Sequence, residues 1–105
     1  MNDGTSNGFQ PLHFGIDFDG TFSADPELWR RFIALAESRG HRCYVVTCRR
    51  DTDENREDIG PHVTGLPRYR HLFTGLSPKR WFCEQQCTRI DVWIDDQPES
   101  VINGR

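Results

Sequence analysis

The chain has 105 residues, with 13 lysines and arginines against 16 aspartates and glutamates and a formal net charge of -3. That length holds one domain with one modest core, so any function sits on a single small scaffold. The slight acidity excludes a bulk basic field for nucleic acid, no apolar run is long enough to span a membrane, and the opening "MNDGTSNGFQ" lacks the layout of a secretion signal, so a cytoplasmic protein is expected.

Residues 1–11 are polar and glycine-bearing and read as a flexible tail, which leaves 12–105 as the domain. "LHFGID" reads as a strand, because central parallel strands are apolar on both faces and this run is nearly continuous until it ends in acid. "SADPELWRRFIALAESRG" predicts a helix with Ser23 or Asp25 as N-cap, Pro26 in the first turn, Glu27 near the positive end and Gly40 as the stop. Leu28, Phe32, Leu35 and Ala36 recur at helical spacing along its apolar stripe, which Trp29 and Ile33 widen. "RCYVVTCRR" is a second strand by its β-branched and aromatic content. "DTDENREDIGP" predicts a short helix stopped by Gly60 and Pro61, and "HVTGLPRY" is irregular. "RHLFTG" reads as a third strand and "SPKRWFCEQQC" as a helix capped by Ser77 with Pro78 at its first position. "IDVWIDD" reads as a fourth strand and "QPESVIN" as a last short helix.

Strand and helix alternate four times, which predicts an α/β domain with a parallel sheet of about four strands, helices on both faces and right-handed crossovers. In such sheets ligands bind beyond the carboxyl ends of the strands. The polar clusters fall there. Asp17 and Asp19 follow the first strand, with Gly20 and Thr21 directly behind them; Thr47 and Arg49 follow the second; Asp95 and Asp96 follow the fourth; Lys79 opens the helix after the third.

Four carboxylates at one edge repel one another unless a cation neutralises them. Oxygen-only ligands with open positions suit Mg²⁺, which keeps several waters and takes one or two carboxylates plus a phosphate. Lys79, the only lysine of the chain, is a compact ammonium suited to binding a phosphate and shielding a carboxylate nucleophile. Thr47 can donate its hydroxyl to the same phosphate. Together these groups describe phosphoryl transfer to an aspartate. Singly, each has a plainer reading: Asp-Gly-Thr is a common turn, Asp-Asp before Gln-Pro can cap a helix, and a lysine after proline can be a solvated charge. The four cysteines, Cys43, Cys48, Cys83 and Cys87, read as reduced thiols. Cys83 and Cys87 share a face if helical, but ordinary part-buried thiols are favoured over a metal site.

The order "DFDGT", "VVT", "SPK", "WIDD" resembles the four motifs of the haloacid dehalogenase superfamily of phosphatases, over about residues 13–102. Receiver domains use similar residue types in another order, with paired acids first and Thr and Lys last. The resemblance implies a three-layer, Rossmann-like core and a Mg²⁺-dependent phosphomonoester hydrolase. It implies that Asp17 is the nucleophile that forms an aspartyl-phosphate. Asp19 would be the general acid that protonates the leaving oxygen and then the base that activates water. Thr47 and Lys79 would hold the transferring phosphoryl group, with Gly20 and Thr21 as further substrate-binding residues. The metal would be held by Asp17, the backbone carbonyl of Asp19 and Asp96, with Asp95 orienting Lys79 or the metal's water. The division of roles between Asp95 and Asp96 stays open at this point.

Members with large caps insert them after the first motif or after the third strand. Here "GTFSADPELW" and "FTGLSPKRW" run straight into helices, so a capless member is expected, whose open site admits a phosphorylated small molecule or an exposed macromolecular phosphate. Arg49 is a further substrate-binding candidate, because a guanidinium suits bidentate phosphate contacts. Arg50 and Arg56 lie among Asp51, Asp53, Glu54, Glu57 and Asp58 and read as solvated ion pairs, and Trp29, Trp81 and Trp93 read as core or interface. A homodimer covering a sheet edge would help so small a sheet. Two rival functions stand beside the phosphatase: a metal-binding regulatory protein acting through a partner, and, by analogy with capless relatives, a phosphatase for nucleic-acid 3′ ends.

Overall fold

The structure is a computed structural model that describes residues 8–103, and residues 1–7 of the expected tail lie outside them. Strand β1 is His13–Ile16, followed by a 3₁₀ turn at Phe22–Ala24 and helix α1 at Pro26–Ser38. Strand β2, Arg42–Thr47, leads into α2, Asp53–Ile59, and two 3₁₀ turns, Gly60–His62 and Arg68–Arg70, precede β3 at His71–Phe73. Helix α3 at Lys79–Gln85, strand β4 at Val92–Ile94 and helix α4 at Glu99–Ile102 complete the described chain. The sheet has four strands, all parallel, in the order β3-β2-β1-β4. The α/β alternation and the strand count match the sequence pattern. β3 and β4 are shorter than their apolar runs, because the chain leaves the ladder as it turns into the loops at the sheet edge.

From β1 the chain steps outward through β2 to β3 and then returns to the other side of β1 with β4. The strand order therefore reverses at β1, and the crevice beyond the carboxyl ends of β1 and β4 is where such sheets hold ligands.

Asp25 caps α1 by accepting from the Leu28 amide at 3.2 Å, with Pro26 as its first residue. Ser23, the other candidate cap, instead accepts from the Gly20 amide at 2.9 Å. The buried arc of α1 is centred on Trp29, Ile33 and Ala36, with Phe32 beside it, whereas Leu28 and Leu35 are exposed. One residue of offset is about 100° of rotation, enough to turn those two leucines off the packed face. Alternating strand positions meet this arc: Phe14 and Ile16 of β1, Cys43 and Val45 of β2, Phe73 of β3 and Ile94 of β4, together with Phe22 and Ile59. On the opposite face Gly15 is the register partner of Trp93, and a Cβ there would stand 3.0 Å from the indole, so a larger residue would require the indole to shift.

Helix α3 starts one residue later than the sequence pattern suggests, with Pro78 in the N-cap position and no side-chain cap. Ser77 is not the cap, because its amide and carbonyl close a turn with Thr74. The helix ends at Gln85 and Cys87 lies beyond it at φ +55, so Cys83 and Cys87 do not share a helical face. All four cysteines are free thiols. Trp29 packs against Phe32, while Trp81 is exposed. The Phe9 ring lies 5.4 Å from that of His41, and Arg89 donates to the Pro11 carbonyl at 2.9 Å. Among the described residues no helix is long and apolar enough to cross a membrane.

Candidate functional site

The Asp17 amide donates to the Ile94 carbonyl at 2.9 Å, so the pairing of β1 with β4 carries Asp17 one residue past its strand, to the edge that holds Asp95 and Asp96. The Phe22 amide then donates back to the Asp17 carbonyl at 3.0 Å, which folds the chain over directly after β1. This turn separates Asp17 from Asp19, which would have shared a face had the strand continued.

Lys79 is buried, and its Nζ donates to Asp17 Oδ1 at 2.6 Å and to Asp95 Oδ2 at 2.5 Å. Asp95 is held in turn by the Ser100 hydroxyl, which donates to Oδ2 at 3.2 Å, and by the Gln97 amide, which donates to Oδ1 at 2.9 Å. Both oxygens of Asp95 are thus engaged, and the side chain orients Lys79. Burial opposes the charge on Lys79, but the hydrogen bonds and charges of Asp17 and Asp95 outweigh it and raise the ammonium pKa. Burial also dominates at Asp17, where it pushes the carboxyl up to about 6 against the pull of Lys79. Asp96 is held below the ordinary carboxylate range by hydrogen bonds from Asp17 and Thr21.

Thr21 links the loops after β1 and β4. Its hydroxyl accepts from the Asp96 amide at 3.0 Å, and its one proton is shared between Asp96 Oδ1 at 3.0 Å and Asp17 Oδ2 at 3.3 Å. Gly20 has φ +89, and a Cβ on it would stand 2.4 Å from Asp96 Oδ2, so glycine is needed both for the turn and for the approach of this carboxylate. The sequence reading offered Gly20 and Thr21 as substrate contacts; in the structure their hydrogen bonds and close approaches go to Ser23, Asp17 and Asp96.

Oxygens of Asp17, Asp95 and Asp96 lie within 4.8 Å of one another. Three carboxylates face one ammonium, which leaves negative charge uncompensated, and an all-oxygen donor set of this kind fits a hard dication such as Mg²⁺. With Asp95 committed to Lys79, Ser100 and Gln97, the oxygens best disposed toward a metal are those of Asp17 and Asp96. The carboxylate of Asp19 is outside this group. Burial pushes the Cys43 and Cys83 thiols up to about 11, so both are protonated at neutral pH.

Arg49 takes up Asp19. Its Nε donates to Asp19 Oδ2 at 2.9 Å and its Nη2 to Oδ1 at 2.8 Å, while Nη1 reaches Asp58 at 2.7 Å and Asn55 at 3.2 Å on α2. The guanidinium expected to meet substrate is therefore tied to the acid beside it. Arg56 pairs with Asp51 at 2.6 Å. Thr47 is buried, accepts from the Arg49 amide at 3.3 Å through its hydroxyl, and lines an open cleft of about 290 Å³ with Asp17, Asp19, Cys48, Arg49 and Leu76. Sequence reasoning passed over Ser100 and Asn55, and placed Asp58 in an ion-pair cluster with Arg50 and Arg56, whereas it pairs with Arg49. A serine in a short helix and polar residues in an acidic run carry no local signal, and only the fold brings them to Asp95 and Arg49. Comparison of the chain with protein-family models, curated proteins and solved structures gives no match, so the chemistry of the site is argued from its own residues.

Proposed function

We propose that the chain is a capless phosphatase of the haloacid dehalogenase type, with a three-layer, Rossmann-like core, hydrolysing phosphomonoesters with Mg²⁺ through an aspartyl-phosphate on Asp17. The observation that carries this reading is the convergence of Asp17, Lys79, Asp95 and Asp96, from two loops and a helix start, at the point where the strand order reverses.

Asp17, Asp96 and the Asp19 carbonyl would hold Mg²⁺, which would supply charge neutralisation for the phosphoryl oxygens. Lys79 and the Thr47 hydroxyl bind those oxygens, and Lys79 offsets the repulsion between a phosphate dianion and Asp17. An oxygen of Asp17 attacks phosphorus, and the new bond forms as the bond to the leaving oxygen breaks. Asp19 supplies the proton that the leaving oxygen takes up. As a carboxylate it then accepts a proton from water as the water oxygen attacks phosphorus, which releases inorganic phosphate and restores Asp17. Arg49 orients Asp19 toward the cleft through two charge-assisted hydrogen bonds.

The test is phosphate release from an aryl phosphate with and without Mg²⁺, by the native chain and Asp17→Asn. Metal-dependent turnover that disappears in the variant supports the reading. A folded, Mg²⁺-binding chain that releases no phosphate from a broad panel of phosphoesters refutes it and leaves the second reading, a metal-binding regulatory protein. One observation favours that alternative: both oxygens of Asp19 are engaged by Arg49, so its carboxylate is tied into an ion pair instead of standing free in the cleft.

A further inference from the structure

Two non-glycine residues among those described have positive φ, Leu76 at +76 and Cys87 at +55. Cys87 has an ordinary explanation. The Thr88 amide donates to the Cys83 carbonyl at 2.8 Å and the Cys87 amide to the Glu84 carbonyl at 3.1 Å, the pattern that closes the end of α3 with one left-handed residue. Leu76 ends no helix. It is the second central residue of a turn from Thr74 to Ser77, closed by the Ser77 amide on the Thr74 carbonyl at 3.2 Å, and the first central residue, Gly75, also has positive φ, at +64. Such turns favour glycine or asparagine at both central positions, and a leucine there is in an unfavourable conformation.

The turn is also pinned. Successive amides of Thr74, Gly75 and Leu76 donate to the carbonyls of Thr47, Arg49 and Cys48 at 2.9, 3.1 and 2.8 Å, which fixes the loop against the end of β2. The result is a branched apolar side chain, 43 % exposed, on the wall of the cleft that holds Asp17, Asp19 and Thr47. Burial does not repay the strain, because much of the leucine faces solvent. Strain of this kind persists only where the surrounding structure over-determines it, and it clusters at active sites and ligand clamps.

We propose that Leu76 is a specificity-determining residue that packs against the leaving group, and that the preferred substrates are phosphomonoesters with a flat apolar group next to the ester oxygen, aryl or arylalkyl esters rather than polyhydroxylated ones. This rests on the phosphatase reading of the same cleft. The remaining cleft walls are polar at Asp19 and Arg49, and Thr47 and Cys48 are buried, so the exposed apolar surface on which a leaving group can shed water is that of Leu76.

The experiment uses non-hydrolysable phosphonates, so it does not depend on turnover. Binding of benzylphosphonate and methylphosphonate is measured by calorimetry with saturating Mg²⁺ for the native chain, Leu76→Ala and Leu76→Gly. The native chain is expected to bind the benzyl compound about tenfold more tightly than the methyl compound, and both variants are expected to bring that ratio within about twofold. Leu76→Gly also relieves the positive φ, so it is expected to melt no lower than the native chain, which separates loss of contact from loss of fold. A ratio near one in the native chain, a ratio that survives in both variants, or binding of neither phosphonate overturns the proposal. Phenyl phosphate is assayed beside them. A native chain that prefers benzylphosphonate yet releases no phosphate refutes the phosphatase reading alone, and one that turns over without the benzyl preference refutes the role of Leu76 alone.

Discussion

Replacing the proposed nucleophile with asparagine is expected to stabilise the metal-free protein at neutral pH. Burial holds the Asp17 carboxyl at about 6 against an ordinary value of 3.8, so the folded chain binds this proton more tightly than the unfolded chain does. The corresponding stability is fully present below about pH 4 and is lost as pH rises through about 6. The gap amounts to about 3 kcal/mol, and little of it is screened, because Asp17 is only 7 % exposed. Asparagine can still accept from Lys79 but has no charge to desolvate or to set against Asp95. The expected gain is therefore about 1–3 kcal/mol in Asp17→Asn, or a rise in Tm of about 5–15 °C for a domain of this size. Thermal unfolding in a chelator reads it directly: native and variant should melt together near about pH 4.5 and diverge by about pH 7.5. Saturating Mg²⁺ should close or reverse the difference, since a ligand at about a hundred times its Kd adds about 2.7 kcal/mol to the native chain, while the variant has lost a ligating carboxylate. A variant that melts below the native chain at neutral pH without metal, or a difference that does not grow with pH, would mean that Lys79 and not burial decides the state of Asp17.

Three other substitutions test the remaining parts. Gly20→Ala places a methyl group against Asp96 at positive φ, so Mg²⁺ affinity by calorimetry is expected to fall tenfold or more for a stability loss of about 1 kcal/mol; unchanged affinity would remove Asp96 from the metal site. Lys79→Met leaves Asp17 and Asp95 buried without their cation, and denaturant unfolding in a chelator should show a loss of about 3–5 kcal/mol that Mg²⁺ partly restores. Arg49→Lys keeps the charge and loses the fork, so kcat is expected to fall about tenfold with KM changed less than about threefold. A raised KM with kcat unchanged would instead assign Arg49 to the substrate phosphate.

The site was legible in the sequence to the extent that it lies at strand ends. Short apolar runs that stop in acid, and helices opened by Pro26 and Pro78, are local signals, and a parallel sheet necessarily brings their carboxyl ends to one edge. Side-chain direction beyond the strand end was not legible. Asp17 and Asp19 are two apart, which implies a common face only while the chain stays extended, and β1 ends at Ile16. Where Asp19 goes after the turn is decided by Arg49, 30 positions away in the chain, and by Asp58 and Asn55 behind it. Thr21 shows the same limit from the other side. A threonine after Asp-Gly reads as part of a turn, and its partner Asp96 is 75 positions distant. Leu76 was invisible for a different reason: a strained φ has no compositional signature when the residue that bears it is not glycine or asparagine.

The hydrogen bonds that shape the site also hold the sheet edge. Strand β4 is an edge strand of three residues, none of them fully buried, and among the described residues it pairs only with β1. Its attachment continues past the strand through the site itself: the Asp17 amide to the Ile94 carbonyl, the Asp96 amide to Thr21, Lys79 to Asp95, and Ser100 back to Asp95. Each such bond contributes modestly alone, but in a connected, part-buried network the loss of one member weakens the others. A cation bridging Asp17 and Asp96 joins the same two loops that Thr21 joins. Hydrogen exchange of the Asp96 amide should therefore slow when Mg²⁺ is added, while that of Leu72 in β3, on the far side of β2 from the site, should not change. Equal slowing at both positions would mean that the metal stabilises the whole domain and not this edge. Slowing at Asp96 alone would mean that the outermost strand is completed by its ligand, which is how a sheet this small can carry a charged site at its margin.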